Sequence, residues 1–184
     1  MLQKTTVKQV QELIHKFIEH FPTPKDLVDA PLEDIKKIIT PLGMEHKRAE
    51  RLKKLGIVLI EKFGGKIPET EEELLSLPGV GQYIANGVLC LAFNREAPLV
   101  DTNIVRILER VFDIRSNRAR ARTDEKIWEF VKGITPSNKS REINLALLDH
   151  GALICTAKKP KCPICPLNKI CIAYQKGIIQ YSFN

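Results

Sequence analysis

No stretch of this 184-residue chain alternates apolar and polar residues for long, which excludes a β-sheet as the basis of the fold. There is no run of about 18 apolar residues, so no ordinary transmembrane helix is encoded. Nor is there a basic-then-apolar leader at the start. The expectation from these two absences is a soluble, cytoplasmic protein without membrane contact. Repeats and low-complexity tracts are missing too, which removes solenoid architectures. Acidic residues are in deficit, 22 Asp and Glu against 29 Lys and Arg, for a formal charge of +7. The deficit is uneven: residues 1–95 hold 14 basic and 13 acidic side chains, and residues 96–184 hold 15 and 9. A solvated basic face accounts for this as readily as a nucleic-acid surface does. The length suits one compact domain or two small lobes.

What is present is helical periodicity. Thr6 can cap a helix whose apolar face is Val7, Val10, Ile14, Phe17 and Ile18, ended by Pro22. Thr23-Pro24 and Pro31 start two short helices, the second carrying Ile35, Ile38 and Ile39. Gly43 interrupts the pattern. Glu45 to Phe63 is amphipathic and stops at Gly64-Gly65. Thr70 and Glu73 form a capping-box pattern for a helix to Ser76. A helix from Asp101 to Phe112, an arginine-rich loop (Arg115, Arg118, Arg120, Arg122), a Thr123-capped helix and a long helix from Ser140 to Ile154 complete the series. Residues 177–184 read as a frayed tail.

The chain is organised around residues 70–101. Pro78 and Gly79 stop one helix, and Gly81 opens another, Gln82 to Phe93, with Ile84, Val88 and Leu91 on one apolar face. A glycine-rich turn at a helix start exposes backbone N–H groups and suits an anion such as a nucleic-acid phosphate, although a plain helical hairpin needs the same glycines. Asp101 precedes another helix, as an N-cap or as a carboxylate for catalysis. Cys155, Cys162, Cys165 and Cys171 are spaced C-x6-C-x2-C-x5-C. A four-thiolate zinc site and an iron–sulfur cluster both use such donors, and disulfides are unfavoured inside the cell. Lys158, Lys159 and Lys161 stud the first cysteine loop and would present cations to phosphate. Cys90 reads as a small buried residue.

Leu77-Pro78-Gly79-Val80-Gly81-Gln82-Tyr83-Ile84-Ala85, followed by Leu99-Val100-Asp101-Thr102-Asn103-Ile104-Val105-Arg106, resembles the helix-hairpin-helix base-excision DNA glycosylases of the endonuclease III superfamily. The 6-2-5 cysteine spacing is the one that family uses for a 4Fe–4S cluster. The resemblance covers nearly the whole chain. It implies an all-α fold with a helical barrel lobe at residues 1–95, the hairpin at 70–93 within it, and a cluster lobe at 96–184. DNA and Asp101 would lie in the cleft. It implies that Asp101 is the catalytic carboxylate, that Asn103 binds the sugar or its phosphate, and that Leu77, Gly79, Val80, Gly81 and Gln82 contact DNA. Gln3 and Met44 fall where the family inserts wedges into the duplex. Lys158, Lys159 and Lys161 would help hold DNA, with the four cysteines as cluster ligands. The family's preceding N-terminal helix is not represented, so the resemblance implies a reading frame beginning about thirty residues earlier, given usual helix lengths, or a truncated paralogue.

Tyr83 stands where endonuclease III-like enzymes carry a lysine that forms a Schiff base. The resemblance therefore implies a monofunctional glycosylase, closest in motif to the thermophilic thymine/uracil–guanine mismatch enzymes. Leu42-Gly43-Met44-Glu45-His46 lacks the pair of tyrosines usual in the adenine mismatch enzymes. Removal of adenine and DNA binding without turnover are the alternatives. The partner implied is mismatched or damaged double-stranded DNA, bound by a monomer in a prokaryotic nucleoid.

Overall fold

The computed structural model describes residue 5 and residues 7–178; Gln3, Thr6 and most of the expected tail lie outside the described residues. All regular elements among the described residues are helical. None is long and apolar enough to cross a membrane. Two compact units divide the chain, one ending at Gly81 and the other starting at Gln82.

In the first unit, α1 (Val7–His20), α2 (Pro24–Asp29), α3 (Leu32–Ile39) and α4 (Glu45–Phe63) surround one core. Leu13 and Phe17 of α1, Leu27 of α2 and Ile35, Ile38 and Ile39 of α3 meet Leu42 and Ala49 there. Each fully buried aliphatic side chain contributes roughly 1.5–3 kcal/mol, so the i, i+3, i+4 spacing of the isoleucines is what orients α3. Thr23 caps α2 through a complete capping box with Asp26. The α2 and α4 helices approach closely at Gly56, where a Cβ would lie 2.9 Å from Val28 Cγ2 and 3.1 Å from Pro24 O. The α4 helix ends at Gly64 in the left-handed conformation, as the Gly-Gly pair predicts. After it comes α5 (Glu71–Ser76), capped by Thr70, whose hydroxyl accepts from Glu73 N.

The second unit begins with α6 (Gln82–Gly87), which continues as a π-helical turn over Val88–Ala92 rather than as regular helix to Phe93. Its buried face is not the apolar face of Ile84, Val88 and Leu91. Ile84 and Leu91 are 40% and 36% exposed, while Ala85, Asn86, Leu89 and Cys90 are buried. Periodicity over apolar residues alone missed this because Asn86 has a polar partner inside: its Nδ2 donates to Pro98 O at 2.9 Å.

The centre of this unit is α7 (Thr102–Phe112). Leu99, Val100, Ile104, Val105 and Leu108 pack with Ile127 and Val131 of α8 (Glu125–Ile134). Ile107 and Val111 face Cys155, Cys171 and Ala173. One helix thus carries Asp101 at its start and the cysteine segment along its flank. The N-cap of α8 is Asp124, accepting from Lys126 N, and not the expected Thr123, which closes the preceding 3-10 turn. The last long helix is α9 (Ser140–Asp149), extended by a π-turn over His150–Ile154. A short α10 (Ile172–Gln175) follows the cysteines.

Candidate functional site

The hairpin turn contains two glycines with different reasons to be there. Gly79 has φ +80, and a Cβ on it would run into the Arg51 side chain. Gly81 has no such constraint: nothing lies within 4 Å of where its Cβ would be. Its bareness leaves the backbone at the start of α6 uncovered. Gly79, Gly81 and Gln82 are exposed, Val80 is half-buried, and the Leu77 side chain is buried at 5% exposure. Leu77 serves the turn through its backbone, accepting from Val80 N at 3.1 Å.

Tyr83 follows on the first turn of α6, 41% exposed. Burial of its phenol, and then the negative charge of Asp101, raises its pKa above the ordinary value. The phenol is therefore a neutral hydrogen-bonding group at physiological pH, within electrostatic reach of the Asp101 carboxylate.

Asp101 caps α7. Its Oδ1 accepts from the backbone N–H groups of Asn103 and Ile104, both at 2.8 Å. Its Oδ2 accepts from Asn103 Nδ2 at 2.9 Å. Both oxygens are thus oriented, and the half-buried carboxylate is held in one rotamer. The amide of Asn103 is itself fixed, because its Oδ1 accepts from Arg106 Nη2 at 2.8 Å. Arg106 continues outward, donating from Nη2 to Gly151 O at 2.7 Å and from Nε to Cys155 O at 2.8 Å. A continuous hydrogen-bonded path therefore joins Asp101 to the backbone of the first cysteine. Gly151 permits the close approach: a Cβ there would lie 2.6 Å from Asn103 Cβ.

The cysteine segment winds through turns and one 3-10 turn with little core of its own. Cys155, Cys162, Cys165 and Cys171 line one cavity with His150 and Tyr174. Burial and then the charges of the other three cysteines push the Cys162 thiol up; burial is also the first cause for Cys165. The Cys162 and Cys165 thiols thus resist ionisation unless a cationic centre takes up their charge. Among the described residues no three His, Cys, Asp or Glu side chains approach closely enough for a single metal ion. The four cysteines line one cavity, a donor set that an iron–sulfur cluster uses. Arg110, 9% exposed, donates to Cys155 Sγ at 3.4 Å, to Thr156 O at 2.8 Å and to Ala157 O at 3.0 Å. Lys158, Lys159 and Lys161 are exposed on this loop, as expected.

In the first unit, Met44 is 47% exposed and has φ 55. A left-handed backbone is uncommon outside glycine, and Asn94 and Asp113 share it among the described residues. Met44 is not a buried gap-filler.

Residues 1–133 match the model of the HhH-GPD superfamily of base excision DNA repair proteins. The chain belongs to that superfamily. Residues 155–171 match the iron–sulfur binding domain of endonuclease III, so this glycosylase carries the 4Fe–4S motif. It is 47% identical over 179 residues to the thymine/uracil-DNA glycosylase of Pyrobaculum aerophilum, covering 96% of this chain and 78% of the relative. A solved thermostable thymine-DNA glycosylase superposes with a TM-score of 0.90 at 37% identity, covering 95% of this chain and 80% of that one. An endonuclease III trapped as a covalent intermediate with DNA gives 0.86 at 29% identity, covering 96% and 81%. The protein is accordingly an all-α base-excision DNA glycosylase, as the hairpin and cysteine motifs led one to expect.

Reading for motif residues alone missed Arg106, Arg110, Asn86 and Asn144. The two arginines did leave a signal: with Asn103 they form an i, i+3, i+7 row along α7, and arginines beside a core-facing stripe need buried partners.

Proposed function

We propose that this glycosylase hydrolyses the N-glycosidic bond of thymine or uracil mispaired with guanine and leaves the strand uncut. The observation that carries the reading is Asp101: a carboxylate with both oxygens oriented at the entrance of α7, beside the neutral Tyr83 phenol. Departure of the base builds positive charge on the sugar, and a fixed anion stabilises that charge or steers water to the carbon. Tyr83 offers no amine, so no Schiff base forms at that position. Support for the pyrimidine substrate is the similarity to enzymes whose names state thymine and uracil. To reach the bond the base must leave the stack; exposed, left-handed Met44 serves as a wedge in the gap. Gln3, outside the described residues, is the second wedge by resemblance alone. The backbone at Gly79–Gln82 and the lysines at 158, 159 and 161 hold phosphates.

Cys155, Cys162, Cys165 and Cys171 would hold the cluster, which when bound supplies iron–thiolate bonds that cross-link a loop with little core of its own. Arg110 braces the first of these residues from the side, and Arg106 ties the same loop to Asn103.

The test is a panel of duplexes, each with one defined mispair, scored for base loss and strand cutting before and after alkali. G·U and G·T duplexes should lose the pyrimidine and be cut only after alkali. Exclusive loss of adenine from a purine mispair would replace the pyrimidine reading, and binding to all duplexes without base loss would show a non-catalytic module. Borohydride trapping of the native protein on DNA would remove the monofunctional assignment.

A further inference from the structure

The segment Ala97–Leu99 delivers Asp101 to its place, and it is buried without belonging to any helix or strand. Ala97, Leu99 and Val100 are 3%, 1% and 1% exposed. Buried backbone groups with no secondary-structure partner must be paired by something else. Here they are paired by side chains, on both edges of a segment in which Ala97, preceding Pro98, is biased to the extended region. Asn144, 0% exposed, donates from Nδ2 to Ala97 O at 2.9 Å and accepts at Oδ1 from Leu99 N at 2.9 Å. In extended backbone the carbonyl of one residue and the N–H two residues on point to the same edge. One carboxamide therefore takes the pair of bonds that a neighbouring strand would make. The intervening carbonyl, Pro98 O, points the other way and accepts from Asn86 Nδ2 at 2.9 Å. Asn86 is 3% exposed, and its own Oδ1 accepts from Gln82 Nε2 at 3.3 Å. Asn144 is held in turn: its Nδ2 also donates to Ser140 O at 2.8 Å, and Ser140 Oγ lies 3.4 Å from Ala97 N.

We propose that Asn144 and Asn86 form a two-sided clasp that acts as a substitute sheet for residues 97–99, making both asparagines positioning residues for the Asp101 carboxylate. Neither touches Asp101. They act two to four residues upstream, by denying the segment any sliding or twisting that would move the start of α7. Apolar residues at 86 and 144 would fill the same space but leave Pro98 O and Leu99 N unpaired, Ala97 O with only the 3.5 Å contact from Ser140 Oγ, and the segment free to shift. The inference rests on the catalytic reading of Asp101.

The experiment compares the native holoenzyme with Asn144→Leu, Asn86→Leu and Asp101→Asn. Three quantities are measured: single-turnover base release from a G·U duplex, affinity for a duplex carrying an uncleavable abasic analogue, and iron per chain. Asn144→Leu keeps the volume but removes both bonds to the segment; its rate should fall by about 100-fold, the scale for a reacting group displaced by around 1 Å. Asn86→Leu loses one bond and should fall by about tenfold on the same scale. Abasic-DNA affinity and iron content should stay native in both. Native rates in both leucine variants, with Asp101→Asn inactive, would overturn the clasp and leave Asp101 intact. So would a rate loss matched by equal losses of affinity and iron, because that is what a packing role gives. If Asn144→Leu fails to fold, Asn86→Leu decides by the same split of rate from affinity. If Asp101→Asn retains the native rate, the catalytic reading falls and the clasp with it.

Discussion

At the scale of single residues, Asp101 caps α7 and is proposed to stabilise the sugar cation, and one substitution separates the two roles. Asn at this position keeps an oxygen for the N–H groups of Asn103 and Ile104, so the cap survives. It sets an NH2 against Asn103 Nδ2, which has no acceptor left to find there while Arg106 holds the other end of that amide. Asp101→Asn should therefore cost about 1 kcal/mol of stability, a melting shift of about 2–4 °C for a chain this size. Single-turnover base release should fall at least about 100-fold, the scale for losing a key electrostatic stabiliser. A near-native rate would make Asp101 a cap and nothing more. The Tyr83 site makes a second test. Burial, the first cause raising the phenol, would lower the pKa of an amine placed there, while the Asp101 charge would act the other way. With burial dominant, Tyr83→Lys is expected to yield a borohydride-trappable covalent adduct on a lesion duplex, with trapping that increases as pH rises toward the amine pKa. No adduct at any pH would show that position 83 is out of reach of the sugar. Asp101 at a helix entrance was legible in the sequence. The anchoring of its oxygens is local too, to Asn103 and Ile104, whereas the Arg106 bonds to Gly151 O and Cys155 O arise only when α7 and the 150–154 turn are folded together.

At the scale of elements, the hairpin turn and the cysteine segment respond differently to change. Gly81→Ala meets empty space and compatible backbone, so it should be neutral for melting temperature. Gly81→Asp should keep the helical circular-dichroism signal but weaken binding to every duplex alike, because it sets an anion where phosphate is expected. Equal affinity of native and Gly81→Asp proteins would make the turn merely structural. The cysteine segment has turns, one 3-10 element and α10 of four residues to hold it, against the α7 flank. Its order is expected to depend on the cluster. Cys162→Ser should lower iron from about four per chain, and with it the visible absorbance and the folded fraction. A variant that loses iron yet melts like the native protein would show that Arg110 and the α7 contacts suffice. The helices themselves were largely readable: α4 runs from Glu45 to Phe63 as its periodicity indicates. The face of α6 was not, since Asn86 looks like a surface residue until Pro98 is packed against it, although Cys90 on the same face is legible as buried.

At the scale of the whole molecule, charge is the property that matters. The net positive charge lies mostly in residues 96–184, and the cysteine loop presents three exposed lysines. Each phosphate that a lysine no longer neutralises lowers the dependence of log affinity on log salt by about one. Replacing Lys158, Lys159 and Lys161 by Gln should weaken binding across all sequences and reduce the salt slope by about one to three on that rule, with base release at saturating enzyme unchanged. An unaltered slope would assign the phosphate-binding cations elsewhere, with the arginine loop at 115–122 next in line.

The sequence by itself determined the helices, because caps, prolines and apolar spacing act over a few residues. It also determined the family, since the Leu77–Gly81 turn, Asp101 and the cysteine spacing are contiguous or fixed in register. Tertiary packing alone sets how the start of α7 and the segment before it are braced. The bonds from Arg106 to Gly151 O and Cys155 O, and the clasp of Asn144 and Asn86 on residues 97–99, join positions 12 to 49 residues apart. Hydrogen bonds over such separations leave no periodic trace in a sequence. They arise because a buried, irregular segment must find partners for its backbone, and only the packed chain determines which side chains are near enough to serve.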